Sequence, residues 1–435
     1  MMELYQVSSK HLDGWIAENL QPSREFRNNV QEVVDRICTF LKERCTMDAR
    51  VIKTVKGGSA AKGTALDDNS DADLVIFLNC FSSYKDQAEK RASVISTIEK
   101  NLRYYCQSIA YKVEVLPPKS MGRPPRSLSL TIQSRKKKES VEVDILPAYD
   151  VLGQITSTFK PSPRVYRDLI QAKGDPGEFN TCFTELQRNF VKRCPAKLKN
   201  LLRLVKYWYK KCKEHLKERN PSSSLPYKFA LELLTIYAWE EGTCRAEQFN
   251  TAEGFCTVMQ LLVHFQDLCL YWTEYYSLED SIIGPYVKEK LRGPRPVIMD
   301  PADPTGDVAK GKGWDLLAKE ASICLKQFCC KKVSGEPIQP WDLKPARTIL
   351  VEVENEQTGA RQVILCSPYY TIWQIKEEMK KEGSVSACDQ DLVLQEPDQN
   401  TIVLQDDKKL ADYGVFYNTT TLQLLPKPQA MCVCL

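Results

Sequence analysis

The chain has 435 residues, 43% hydrophobic and 27% charged, the composition of ordinary globular protein and enough for about three domains. Seventeen cysteines without a repeating spacing read as reduced thiols, Met1–Gln21 lacks a basic-then-apolar signal pattern, and no apolar run approaches a membrane span. A net charge of +4 hides an asymmetry: residues 347–426 hold 7 basic against 13 acidic residues, while residues 1–346 carry +9. The sequence thus argues against a secreted disulfide scaffold and a membrane-spanning protein. It predicts a cytoplasmic protein whose front portion meets an anionic polymer. His11, His215 and His264 are scattered and no Cys-x-x-Cys occurs, which argues against a structural zinc site.

In chain order, the first informative segment is Gly57-Gly58-Ser59, a turn whose bare backbone N–H groups can approach a triphosphate. Asp71 and Asp73 then head the run Leu74-Val75-Ile76-Phe77-Leu78, a buried strand or a short core helix. On a strand the two carboxylates would project from one face, roughly 6.5–7 Å apart. An isolated Asp-x-Asp at a strand end is more often surface or capping chemistry, so the third acid matters. Asp144, in Val141-Glu142-Val143-Asp144-Ile145-Leu146, alternates with apolar neighbours and can join the first two from another strand. Such a carboxylate set suits two Mg²⁺ ions and phosphoryl transfer, hence a nucleotidyltransferase. Glu142 reads as a solvated neighbour, and Asp150 falls in the turn after Pro147.

Arg135-Lys136-Lys137-Lys138 reads as a hairpin loop without an assigned role. Basic residues then run from Arg188 through Lys192, Lys197, Lys199, Arg203 and Lys206 to Lys211. Lys192, Lys199, Lys206 and Lys210 would share a stripe on an unbroken helix, although Pro195 favours a helix starting there. A solvated helix face would explain the same pattern.

Lys56-Gly57-Gly58-Ser59-Ala60-Ala61-Lys62-Gly63-Thr64 and Ser70-Asp71-Ala72-Asp73-Leu74-Val75 closely resemble the signature of the 2′-5′-oligoadenylate synthases. The likeness continues through Val143 to Asp150, Thr181 to Arg188, Leu201 to Tyr209 and Asp300 to Gly306, spanning roughly residues 1–345. It implies an α+β fold: a polymerase-β-like nucleotidyltransferase lobe with a mixed sheet at 1–155 and a helical lobe at 156–346. It also implies polymerisation of ATP into 2′-5′-linked oligoadenylates when double-stranded RNA binds, in antiviral innate immunity. By the same resemblance Asp71, Asp73 and Asp144 hold the metals, and Asp144 could also accept the attacking hydroxyl's proton. Ser59, Lys206 and Lys228 would contact the donor ATP, and Lys62 would lie near the acceptor. Lys42, Lys56, Arg188, Lys192 and Lys197 match positions that grip double-stranded RNA, whose duplex is read through phosphates and 2′-hydroxyls. Cys329-Cys330-Lys331 stands where the family carries a motif associated with oligomerisation, and two core cysteines at a helix end explain it equally well.

Three departures from the family pattern could slow the enzyme. Ala60-Ala61 replaces a Ser-Gly pair, Asp67-Asp68-Asn69 replaces basic residues, and Phe229 replaces a tyrosine.

From Arg347 the pattern changes. Strands at Thr348–Val353 and Gln362–Leu365, a helix capped by Thr371 bearing Ile372, Ile375 and Met379, and strands near Leu392, Ile402 and Leu422 give a ββαββ order. Residues 347–426 therefore resemble a ubiquitin-like β-grasp domain, which implies a protein partner. The tail 427–435 ends in Cys432-Val433-Cys434-Leu435, a prenylation box that predicts a lipid on Cys432 and partial, reversible endomembrane association.

Two other functions fit parts of the sequence. One is a catalytically weak or inactive double-stranded-RNA sensor signalling through the ubiquitin-like domain, against which the three aspartates speak. The other is a cyclic-dinucleotide synthase, which should carry a zinc-binding His/Cys insertion that this chain lacks.

Overall fold

The computed structural model describes residues 3–45, 49–67, 71–105, 111–117, 124–134, 140–156, 158–381, 390–395, 400–418 and 420–426. The chain divides into two compact units. One comprises Met1–Val263, Tyr271–Ser277 and Ile298–Trp341, and the other His264–Leu270, Leu278–Val297 and Asp342–Leu435.

The first unit opens with α1 (Leu12–Asn19) and α2 (Arg24–Glu43). Ser23 starts α2 by accepting the Phe26 N–H at 3.0 Å, and Val30, Val33, Val34, Ile37, Phe40 and Leu41 form its buried stripe at helical spacing. A five-stranded sheet follows: β1 (Val51–Lys56), β2 (Asp71–Leu78), β3 (Tyr111–Val115), β4 (Leu128–Ser134) and β5 (Ser140–Ala148), in the order β1-β2-β5-β4-β3. The β2–β5 pair is parallel and the other pairs are antiparallel. Residues 71–78 therefore take the strand alternative. A short helix α3 (Gly58–Lys62) links β1 to β2, and α4 (Tyr84–Tyr105) follows β2.

Strand parity decides what each face carries. Ala72, Leu74, Ile76 and Leu78 of β2 and Val141, Val143 and Ile145 of β5 bury one face against α2 and Ile95, Ile98 and Leu102 of α4. Asp73 and Asp144 necessarily take the opposite face. A one-residue slip would drive both into this core, so burial of the apolar set fixes their position. Gln133 pairs with Ser140 across the antiparallel β4 and β5. Arg135–Lys138 itself lies outside the described residues.

The rest of the unit is helical: α5 (Pro163–Gln171), α6 (Thr184–Lys192), α7 (Ala196–Arg219), α8 (Lys228–Thr243), α9 (Thr251–Val263) and α11 (Trp314–Cys324), with α10 (Ile283–Leu291) belonging to the second unit. Pro195 is the N-cap of α7, so the basic run is broken between α6 and α7. The expected single stripe from Lys192 to Lys210 does not form, because Lys206 turns inward. Residues Ala230 to Glu240 of α8 are buried on every side, which marks it as the central helix of the unit.

In the second unit, strands order as Thr401–Val403, Gln390–Gln395, Thr420–Pro426, Ile349–Asn355 and Arg361–Cys366, with the third and fourth parallel. Helix α12 (Ile372–Lys381) packs Ile372, Ile375 and Met379 into that domain's core. Thr371 accepts the Gln374 N–H at 3.2 Å while Gln374 Oε1 accepts the Thr371 N–H at 2.8 Å, a reciprocal cap. The unit also takes in middle segments: Arg295 lies 4.1 Å from the Phe416 ring centre and Lys288 4.4 Å from that of Tyr417. No helix among the described residues is long and apolar enough to cross a membrane. The tail with Cys432 lies outside the described residues.

Candidate active site

The site is built on the parallel ladder. Asp73 of β2 is the register partner of Asp144 of β5, and Asp71 is that of Glu142, so two acidic rungs follow one another on the face away from the core. The side chain of Asp71 lies outside the described residues. Asp73 and Asp144 are each half-buried, so their carboxylates stand at an edge between protein and solvent.

Gly57 locks the phosphate loop to this ladder. Its N–H donates to the Asp73 carbonyl at 2.7 Å. A Cβ there would meet Thr184 Cγ2 at 2.8 Å and Asp73 Cβ at 3.3 Å, so only glycine allows the approach. Gly58 and Gly63 adopt positive φ, +71° and +76°, at either end of α3. A cleft of about 140 Å³ opens between them and α6, lined by Gly57, Gly58, Lys62, Asp73, Gln187 and Arg188.

Lysines converge on the same region around a buried acid. Glu232 of α8 accepts Lys62 Nζ at 2.7 Å and Lys206 Nζ at 2.5 Å, and Lys206 also donates to Thr64 Oγ1 at 2.8 Å. Burial pushes the Glu232 carboxyl up, but the two ammonium groups overcome it and bring it to about 2. Burial pulls Lys206 down, with Glu232 opposing. Two cations share one carboxylate, which leaves a surplus positive charge beside the acidic rungs. Paired hard oxygen donors, a glycine loop and a surplus cation together have the chemistry that a metal-bound polyphosphate requires.

Comparison with known proteins gives the family. Residues 37–151 match the nucleotidyltransferase domain, and residues 159–346 match 2′-5′-oligoadenylate synthetase 1, domain 2, C-terminus. The chain is 44% identical over 434 residues to 2′-5′-oligoadenylate synthase-like protein 2 of Mus musculus, covering 98% of this chain and 84% of that protein. This chain belongs to the 2′-5′-oligoadenylate synthase family. It is 45% identical over 350 residues to 2′-5′-oligoadenylate synthase 1A of Rattus norvegicus, covering 78% of this chain and 96% of the relative. It is also 50% identical over 346 residues to 2′-5′-oligoadenylate synthase 3 of Mus musculus, covering 79% of this chain and 30% of that longer protein. As a member of this family it is a nucleotidyltransferase with an α+β fold.

Other residues singled out for the synthase chemistry fall in varied places. Ser59 is half-buried in α3, and Lys228 is exposed at the first residue of α8. Lys62 sits 4.4 Å from the centre of the Phe229 ring, so the residue standing for tyrosine still carries a cation on its face. Arg188, matched to RNA contacts, lines the cleft beside Asp73 and is held by Glu185 at 3.5 Å. Lys42 and Lys192 are exposed, whereas Lys56 pairs with Asp35 at 2.6 Å and Lys197 with Asp13 at 2.6 Å. A second cleft of about 290 Å³ lies along α3 and includes Arg27, Lys56 and Arg203 in its lining.

One of the expected weaknesses loses its physical basis. The left-handed positions of the synthase loop are Gly58 and Gly63, while Ala60 and Ala61 are helical, so the missing glycine costs no strained backbone. Asp67 accepts the Ser23 N–H at 3.1 Å, tying it to the start of α2, while Asp68 and Asn69 lie outside the described residues. Asp150 is structural: it pairs with Lys53 at 3.0 Å.

Sequence reasoning missed Glu232, Thr64 and Gln187. Glu232 had a usable signal, being an acid inside the apolar run Phe229-Ala230-Leu231-Glu232-Leu233-Leu234, where no solvent face accounts for it. Gln187 donates to Asp300 Oδ2 at 2.5 Å behind the cleft. Burial, then Asp303 beside it, raises the Asp300 carboxyl to about 7.

Proposed function

We propose that this protein joins ATP units into 2′-5′-linked oligoadenylates when double-stranded RNA binds. The observation that carries this reading is the Asp73–Asp144 rung at the mouth of a glycine-lined cleft with Lys62 in its wall. Asp71, Asp73 and Asp144 would hold two Mg²⁺ ions. When bound, the metal would lower the charge on the phosphates and make the attacking hydroxyl more acidic. Lys206, held in place by Glu232, would orient the donor phosphates, with Ser59 and Lys228 closing on them, while Lys62 on the same carboxylate would lie near the acceptor. In phosphoryl transfer, such positioning and charge stabilisation do most of the work.

Lys42, Lys56, Arg188, Lys192 and Lys197 would contact RNA phosphates. The ion pairs of Lys56 with Asp35 and of Lys197 with Asp13 support a resting arrangement, in which duplex binding exchanges carboxylates for phosphates. In the second unit Leu350, Val363 and Leu365 are exposed on one face of the sheet, which supports a protein-binding role for the ubiquitin-like domain.

The test is incubation of the purified chain with ATP and Mg²⁺, with and without double-stranded RNA, followed by separation of the products. RNA-dependent linear oligomers that resist 3′-5′-specific nucleases support the reading. RNA binding without any product would favour a sensor acting through the ubiquitin-like domain.

A further inference from the structure

Away from the cleft, three thiols that sequence spacing did not connect come together. Cys324 ends α11, and Cys329 and Cys330 lie in the 3-10 turn Phe328–Cys330 just after it. Their sulfurs lie within 4.8 Å of one another, with Cys329 Sγ 4.0 Å from Cys330 Sγ, and all three residues are buried. That separation is about twice a disulfide bond length, so these are free thiols.

We propose that Cys324, Cys329 and Cys330 form a thiolate Zn²⁺ site in the first unit. A tetrahedral zinc with sulfurs at about 2.3 Å spaces those sulfurs about 3.8 Å apart, close to the 4.0 Å seen between Cys329 and Cys330. Three sulfurs and no oxygen donor among them select a thiophilic ion over Mg²⁺.

Two further observations favour metal over plain core packing. The turn is held in place: Gln327 N–H donates to the Cys324 carbonyl at 2.9 Å, and Ile338 N–H to that of Cys330 at 3.0 Å. A cavity of about 440 Å³ includes Cys324 in its lining with His215 and Glu320, which gives an ion a route to the sulfurs. A search for Cys-x-x-Cys does not find such a site, because its ligands would come from a helix end and the next turn.

The full chain, purified under reducing conditions without chelator, should carry one equivalent of zinc by elemental mass spectrometry. Cys329→Ser should lose it, while Cys194→Ser, a buried thiol elsewhere, should keep it. Because Cys329→Ser can also unfold the chain, the wild-type protein supplies a second measurement. After metal removal, added Co²⁺ should give intense sulfur-to-cobalt charge-transfer bands and tetrahedral visible bands that Zn²⁺ abolishes. Oxygen-ligated cobalt at the aspartates gives no such charge transfer. Zinc retained by Cys329→Ser, or wild-type chain with neither zinc nor cobalt–thiolate bands, would overturn the proposal.

Discussion

Asp73 and Asp144 face each other as register partners on two parallel strands. Their placement follows from the apolar residues around them, since Leu74 and Ile145 must point to the core. The site is therefore as rigid as the sheet that carries it, and changes near it should act on positioning.

Gly57→Ala tests that positioning. The new methyl would press on Thr184 and Asp73, pushing the loop from the strand. ATP turnover should fall about a hundredfold, with a stability loss of about 1–3 kcal/mol in chemical denaturation. Gly14→Ala, where a Cβ meets nothing within 4 Å, should leave turnover unchanged and stabilise α1 by up to about 1 kcal/mol.

Glu232→Gln would leave two ammonium groups competing for a neutral amide in a buried setting. Breaking such a pair costs about 3–5 kcal/mol, read as a fall in the denaturation midpoint. Because its folded pKa is depressed to about 2, Glu232 contributes stability that is present above its unfolded value. That contribution is lost as pH falls from the unfolded value through about 2. The variant should therefore show a shallower loss of stability in acid than the parent chain.

Asp300 has the opposite sign. Its folded carboxyl is raised to about 7, so between the unfolded value near 3.8 and about 7 the native state holds the extra proton. From this residue, stability should decline by about 1.4 kcal/mol per pH unit across that window and level off above it. Asp300→Asn should flatten the slope in melts taken from pH 5 to pH 8.

RNA affinity should depend on which lysines are already engaged. Lys192 is exposed with no ion pair among the described residues, whereas Lys197 is held by Asp13. Lys192→Ala should weaken binding across duplex sequences and reduce the salt slope by about one. Lys197→Ala should cost less, because its gain on binding is offset by the carboxylate it leaves.

Much of this was legible in the sequence because it rests on short-range periodicity. Alternation around Asp144 gave the strand face, Thr371 marked the cap of α12, and Pro195 marked the start of α7. What stayed hidden depends on residues far apart in the chain. Glu232 joins Lys62 and Lys206 across about 170 and 26 positions, respectively, so no local pattern could pair them. The harm expected from Ala60-Ala61 was misjudged because the five-residue helix α3 was not foreseen. The thiol cluster escaped because the turn that brings Cys329 and Cys330 back to the end of α11 was not foreseen.

The most direct test replaces Asp144 with Asn and follows ATP polymerisation with Mg²⁺ and double-stranded RNA beside RNA affinity. The parent chain should make RNA-dependent 2′-5′ oligomers, and Asp144→Asn should abolish them while binding the duplex as tightly as before. Turnover that survives in Asp144→Asn would contradict the metal-binding role given to the two facing carboxylates.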